Sequence, residues 1–134
     1  MTVHIENSFM SYDPERAKST LAALIEESVH YANCRFKVGM SYDPIHRVFG
    51  VSTRNGIPAT HGRLNRTYRW QAESLTLFVL LKTFDYAQCQ DAERDMIRIL
   101  RDRVPPDQVM NNVGGGGGRK PSQAPYHVYL VRSG

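Results

Sequence analysis

Phe36-Lys37-Val38-Gly39-Met40-Ser41-Tyr42-Asp43-Pro44-Ile45-His46-Arg47 carries the densest local instructions in this chain. It reads as a short strand, a glycine that lets something approach the backbone, and then a capped helix. Asp43 is placed to accept from free N–H groups at the helix start, and Pro44 suits the first helical position, where a missing N–H costs nothing. Lys37 leaves the strand and Arg47 sits about one turn into the helix. The unit can therefore aim two cationic groups at one anion.

A second helix start uses the same residues. Met10-Ser11-Tyr12-Asp13-Pro14 repeats Met40-Ser41-Tyr42-Asp43-Pro44, but the flanking sequences do not resemble each other, so convergence on one capping chemistry is a better account than duplication. From about 14 to 33 the pattern is helical: Asp13 caps it, and Ala17, Leu21, Leu24, Ile25, Ser28 and Val29 recur at three- and four-residue steps. Residues 2 to 5 alternate as a short strand. Leu75 to Phe84 is rich in β-branched and aromatic residues and reads as a buried strand, with a helix from Trp70 to Leu81 as the alternative, since a continuous apolar run does not fix its own period. Ala87 to Arg103 is helical, with Ala92, Met96, Ile97 and Leu100 on one face and Pro105-Pro106 ending it. Tyr126 to Val131 reads as a strand.

The chain has 134 residues and 41% hydrophobic residues, enough for one folded domain over 1–134 with a modest core. No apolar run approaches the roughly 18 residues that a membrane span needs, and no membrane partner is expected. The N-terminus lacks the basic and apolar regions of a signal peptide. Cys34 and Cys89 stand in neither C-x-x-C nor zinc-ligand spacing, which points to two reduced thiols and a cytoplasmic protein.

Net charge is +4, but it is unevenly distributed. Between Pro44 and Ala72 there is no Asp or Glu, while Arg47, Arg54, Arg63, Arg66 and Arg69 fall there with His46 and His61. Tyr68 and Trp70 lie among the last arginines. Guanidinium groups bind phosphate oxygens bidentately and aromatic faces stack on bases, so a polyanion-binding surface is expected, with an ordinary solvated basic face as the alternative. Nucleic acid is the expected polyanion. Arg119 and Lys120 add charge beside the glycine run 114–118.

Glu93 shares the inward face of its helix with Ile97 and Leu100. A carboxylate so placed must be paired, hydrogen-bonded or bound to metal, because burying a bare charge is costly. The residues leave a structural ion pair and a metal ligand both open.

The Lys37-Val38-Gly39 triplet with Arg47 ten positions after Lys37 resembles the second half-motif of the GIY-YIG nuclease superfamily. A strand followed by a helix bearing one glutamate, here Glu93, is similar to that family's order. Asn111-Asn112-Val113-Gly114-Gly115 resembles the family's asparagine and Gly-Gly pair, where N–H groups converge on phosphate; a flexible linker is the alternative. The resemblance covers about 35–116. It implies an α/β (α+β) fold, a small antiparallel sheet flanked by helices. It further implies hydrolysis of DNA phosphodiesters with Mg²⁺ or Mn²⁺ held by Glu93, Arg47 neutralising transition-state charge, and Lys37 as the proton acceptor. DNA is the implied partner and RNA the alternative; cutting both strands calls for a homodimer or for sequential nicking.

The family's first strand, with its reactive tyrosine, is missing ahead of Phe36. Residues 2–5 offer one replacement, without a tyrosine. The strand at about 126–131 offers another, as in a circular permutation, with Tyr129 or Tyr126 in the reactive slot and Tyr129 orienting the water. A non-catalytic module that binds nucleic acid, or occupies a nucleic-acid site on a partner, is the alternative function.

Overall fold

The computed structural model describes residues 2–31, 33–50, 68, 74–111 and 123–133. In chain order the elements are β1 (Thr2–Glu6), α1 (Pro14–Ser28), β2 (Arg35–Ser41), α2 (Pro44–Phe49), β3 (Ser74–Thr83), α3 (Tyr86–Arg103), a 3₁₀ turn (Pro106–Gln108) and β4 (Tyr126–Ser133). The fold is α/β, a four-stranded mixed sheet flanked by helices. The strand order is β1-β3-β4-β2.

The twin pentapeptides start two helices in the same way. Ser11 and Ser41 each accept from the backbone N–H two residues on, at Asp13 and Asp43. Asp13 then caps α1 by accepting from the N–H of Glu15, and Asp43 caps α2 by accepting from that of His46. Gly50 ends α2 with φ 76°, a left-handed conformation that side chains disfavour. The helix expected to run to about 33 stops at Ser28. Beyond it the Gln108 side chain donates to the carbonyls of Val29, Tyr31 and Cys34, satisfying them outside a helical ladder. The alternative of a helix from Trp70 to Leu81 is overturned over its described part: Ser74 to Leu81 lies in β3, whose ladder with β4 is offset by a bulge between Val79 and Leu81.

The sheet differs from the all-antiparallel expectation at one edge. β4 pairs antiparallel with both β2 and β3, but β1 runs parallel to β3. Residues 2–5 therefore do not stand beside Phe36. The strand neighbour of β2 is β4, with Gly39 opposite Tyr129.

Both faces of the sheet are covered. Phe36, Val38, Phe78, Leu80, Val128 and Leu130 pack under α1 and α3 with Leu21, Ile25, Met96 and Leu100. The opposite face buries Leu75, Leu77, Val79, Tyr129 and Val131 beneath Val48 and Phe49 of α2 and beneath Tyr68. The outer edge of β2 is closed by residues 109–111. The Met110 N–H donates to the Phe36 carbonyl at 2.8 Å. Asn111 then imitates a peptide unit: its Oδ1 accepts from the Val38 N–H at 2.9 Å and its Nδ2 donates to the Val38 carbonyl at 2.7 Å. The side chain of Asn111 is thus a strand-edge clamp, while 112–120, including the glycine run, Arg119 and Lys120, lies outside the described residues.

Candidate functional site

Strand alternation selects which residues of β2 and β4 can meet. Phe36 and Val38 enter the core under α1 and α3, so Lys37 and Gly39 turn to the α2 face. On β4 the odd separation of Tyr126 and Tyr129 sends them to opposite faces. Tyr126 packs edge-on to Tyr86 with ring centroids 5.4 Å apart, within the α1–α3 core. Tyr129 faces α2. Of the two tyrosines, Tyr129 shares a face with Lys37.

Tyr129 lies flat against Gly39. A Cβ at Gly39 would run into the Tyr129 ring and hydroxyl. The Tyr129 side chain is fully enclosed, and its hydroxyl is 2.5 Å from that of Tyr68, whose residue is likewise 1% exposed. Tyr68 extends the site back over β2: the Lys37 Nζ lies 4.8 Å from the centroid of its ring. The two phenol rings are tilted by 54° with centroids 6.4 Å apart. With its hydroxyl turned to Tyr68 and its side chain shut off from solvent, Tyr129 reaches the site through Tyr68 and Arg47 and does not present an open hydroxyl to a water.

Arg47 of α2 lies beside both phenols. Burial raises the pKa of each hydroxyl, well above 10.0 for Tyr129, while the charge of Arg47 and its hydrogen bonding favour the phenolates. The same guanidinium acts on Lys37. Burial first, then the Arg47 charge, lowers the Lys37 pKa from 10.5, and the carboxylate of Glu93 opposes that shift.

Glu93 comes from α3, which packs along β2 as well as on α1. It belongs to the buried stripe of that helix with Cys89, Ala92, Met96 and Ile97, as its spacing implied. Its charge is felt at Lys37, at Tyr68 and at Cys89. Burial and Glu93 together push the Cys89 thiol up to about 12, and burial raises Cys34, so both free cysteines are held as protonated thiols.

The donor set limits what kind of metal site these residues can make. Among the described residues no three His, Cys, Asp or Glu side chains gather into a preformed cage. Glu93 is a single carboxylate. Such a donor fits a hard cation whose remaining ligands come from phosphate oxygens and water, as Mg²⁺ commonly accepts, and does not fit an all-protein cage.

Lys37, Arg47 and Tyr129 thus come from three elements to one face of the sheet around Tyr68, while Glu93 belongs to α3, which packs on the other face, and bears on them through its charge. Tyr68 joins them without having been singled out for this role in the sequence, because the sequence around it offers no strand or helix period to orient it. Arg54, Arg63, Arg66 and Arg69 lie outside the described residues, as do Trp70 and His61. Among the described residues no helix is long and apolar enough to cross a membrane. Comparison with family models, with curated proteins and with solved structures gives no match for this chain.

Proposed function

We propose that the chain is a divalent-metal-dependent endonuclease that hydrolyses phosphodiester bonds in DNA, a GIY-YIG-like domain whose first strand is supplied from the C-terminal side as β4. The observation that carries this reading is the gathering of Lys37 of β2 and Arg47 of α2 about the Tyr68–Tyr129 pair, with the charge of Glu93 on α3 felt at Lys37 and Tyr68. The place of β4 beside the Lys37-Val38-Gly39 strand supports the permuted arrangement.

The roles follow from charge and proton affinity. Arg47 faces the negative charge that develops on the phosphate, and its guanidinium matches phosphate oxygens in geometry. Lys37 accepts the proton of the attacking water, a task that needs a neutral amine. Burial and Arg47 move its pKa in the direction that task requires. Glu93 would hold Mg²⁺ or Mn²⁺, which when bound supplies Lewis-acid polarisation of the scissile phosphate. The enclosed Tyr129 hydroxyl keeps Tyr68 in register beneath these groups.

A non-catalytic nucleic-acid-binding module on the same scaffold is the second reading. The closure of Tyr129 from solvent favours it. The deciding experiment incubates supercoiled plasmid with the protein and Mg²⁺ or Mn²⁺, beside Lys37→Met and Arg47→Ala controls. Nicked or linear product that both substitutions abolish supports the nuclease. Retained DNA binding without cleavage under either metal selects the module, and loss of both binding and cleavage removes the two readings together.

A further inference from the structure

We propose that Tyr68 is a positioning residue for Lys37: the face of its ring fixes the Lys37 ammonium, and its hydroxyl, tied to Tyr129, fixes the ring. The inference rests on the reading of Lys37 as proton acceptor and goes beyond it, since it assigns a role to a residue outside every motif of the site.

The contacts form a closed circuit. Gly39 of β2 seats the Tyr129 ring. Tyr129 holds the Tyr68 hydroxyl at 2.5 Å. Tyr68 returns to β2 and meets Lys37, two residues before the glycine where the circuit began, at 4.8 Å from Nζ to ring centroid. A lysine carries its charge on a flexible four-carbon stem, so an amine that must meet one water needs something to hold it. The negative face of an aromatic ring attracts an ammonium, most strongly where water is scarce, so the contact positions the charged side chain while burial and Arg47 are what favour its neutral form. Both phenols are 1% exposed, so the ring that does the holding is itself immobilised by its surroundings. Arg47 lies at the hydroxyl end of the same phenol. One side chain therefore addresses both cations, Lys37 through its face and Arg47 through its oxygen, with the Glu93 charge felt at each end.

The test is a ring-current measurement on the intact protein, with cleavage kinetics as its second arm. The ε-methylene protons of Lys37, assigned by their disappearance in Lys37→Met, should resonate upfield of ordinary lysines. That shift should persist at reduced size in Tyr68→Phe and vanish in Tyr68→Leu. On DNA, Tyr68→Leu should lower kcat by about 10- to 100-fold with KM unchanged, the signature of a misplaced group, and Tyr68→Phe should recover most of the loss. Lys37 protons at ordinary positions in the wild type overturn the proposal without any variant having to fold. So does a Tyr68→Leu protein that loses the shift and keeps its kcat. The spectrum is read without DNA or metal. An upfield shift in a protein that cleaves nothing therefore sinks the nuclease reading and, with it, a catalytic purpose for the contact.

Discussion

Gly39 and Tyr129 face each other across β2 and β4, and the tyrosine ring fills the space that a side chain at position 39 would need. The glycine is there for its missing Cβ. It lets an aromatic side chain lie down on the sheet, and that posture brings the Tyr129 hydroxyl to Tyr68.

Gly39→Ala should therefore be costly although alanine is small. The methyl group would meet a ring that has no room to retreat, because Tyr129 is fully enclosed. Overpacking of this kind costs about 1–3 kcal/mol. Chemical denaturation should show the loss, and Gly39→Ala should cost less in a Tyr129→Ala background than in the wild type. A Gly39→Ala protein as stable as wild type would contradict the contact.

Glu93→Gln keeps shape and removes charge. In the nuclease reading it abolishes metal-dependent cleavage and leaves DNA affinity and melting temperature nearly unchanged. If Glu93 serves instead as a structural ion-pair partner, the orphaned cation lowers stability by about 3–5 kcal/mol. Cleavage, binding and melting temperature measured on this one variant separate the two accounts, and full activity in a folded Glu93→Gln protein would remove Glu93 from the site.

The basic excursion is tested by salt. Each phosphate neutralised should contribute about 0.9 to the slope of log affinity against log salt concentration. Replacing Arg63, Arg66 and Arg69 together by glutamine should weaken DNA binding and flatten that slope. Unchanged affinity and slope would show that these arginines make no phosphate contacts.

Deleting Tyr126–Ser133 should abolish cooperative folding. β4 lies between β2 and β3, so its loss strips hydrogen-bond partners from two strands and uncovers both cores. A truncated protein with native circular dichroism and an undiminished melting temperature would be the contrary result.

His127 makes stability sensitive to acid. Burial, and secondarily Lys82, hold its pKa below 6.5, against the Ser41 and Tyr42 carbonyls and Asp43, which favour the charged ring. The unfolded chain therefore takes up the proton first as pH falls. The stabilising contribution is complete above 6.5 and is lost between 6.5 and the lowered folded-state value. Urea denaturation on either side of 6.5 should show this slope, and His127→Gln should reduce it.

The local parts of the fold were legible in the sequence. Aspartate and proline at the starts of α1 and α2, the strands β2 and β4, and the inward face of α3 with Glu93 on it are all matters of neighbours a few residues apart, and they hold in the structure. The pairing of β4 with β2 was reachable only through the strand missing ahead of Phe36. What stayed hidden depends on contacts distant in sequence. Asn111 reads as part of a glycine-rich linker, yet it closes the edge of β2 with two hydrogen bonds to a residue 73 positions away. Tyr68 reads as one aromatic residue among arginines, and only the sheet beneath it reveals that it bridges Tyr129 and Lys37. The parallel direction of the edge strand β1 was missed for the same reason: alternation identifies a strand and leaves its direction open.

The strand order also sets a timetable for synthesis. β1, β2 and β3 leave the ribosome before β4, and in the finished sheet β2 touches neither of the other two. A nascent chain that has made the Lys37–Arg47 unit, and even the glutamate helix, still has no strand against which to set it. When β4 arrives it joins the halves of the sheet and delivers Tyr129 in the same event. A chain built this way completes its sheet and seats the Tyr68–Tyr129 pair in one step.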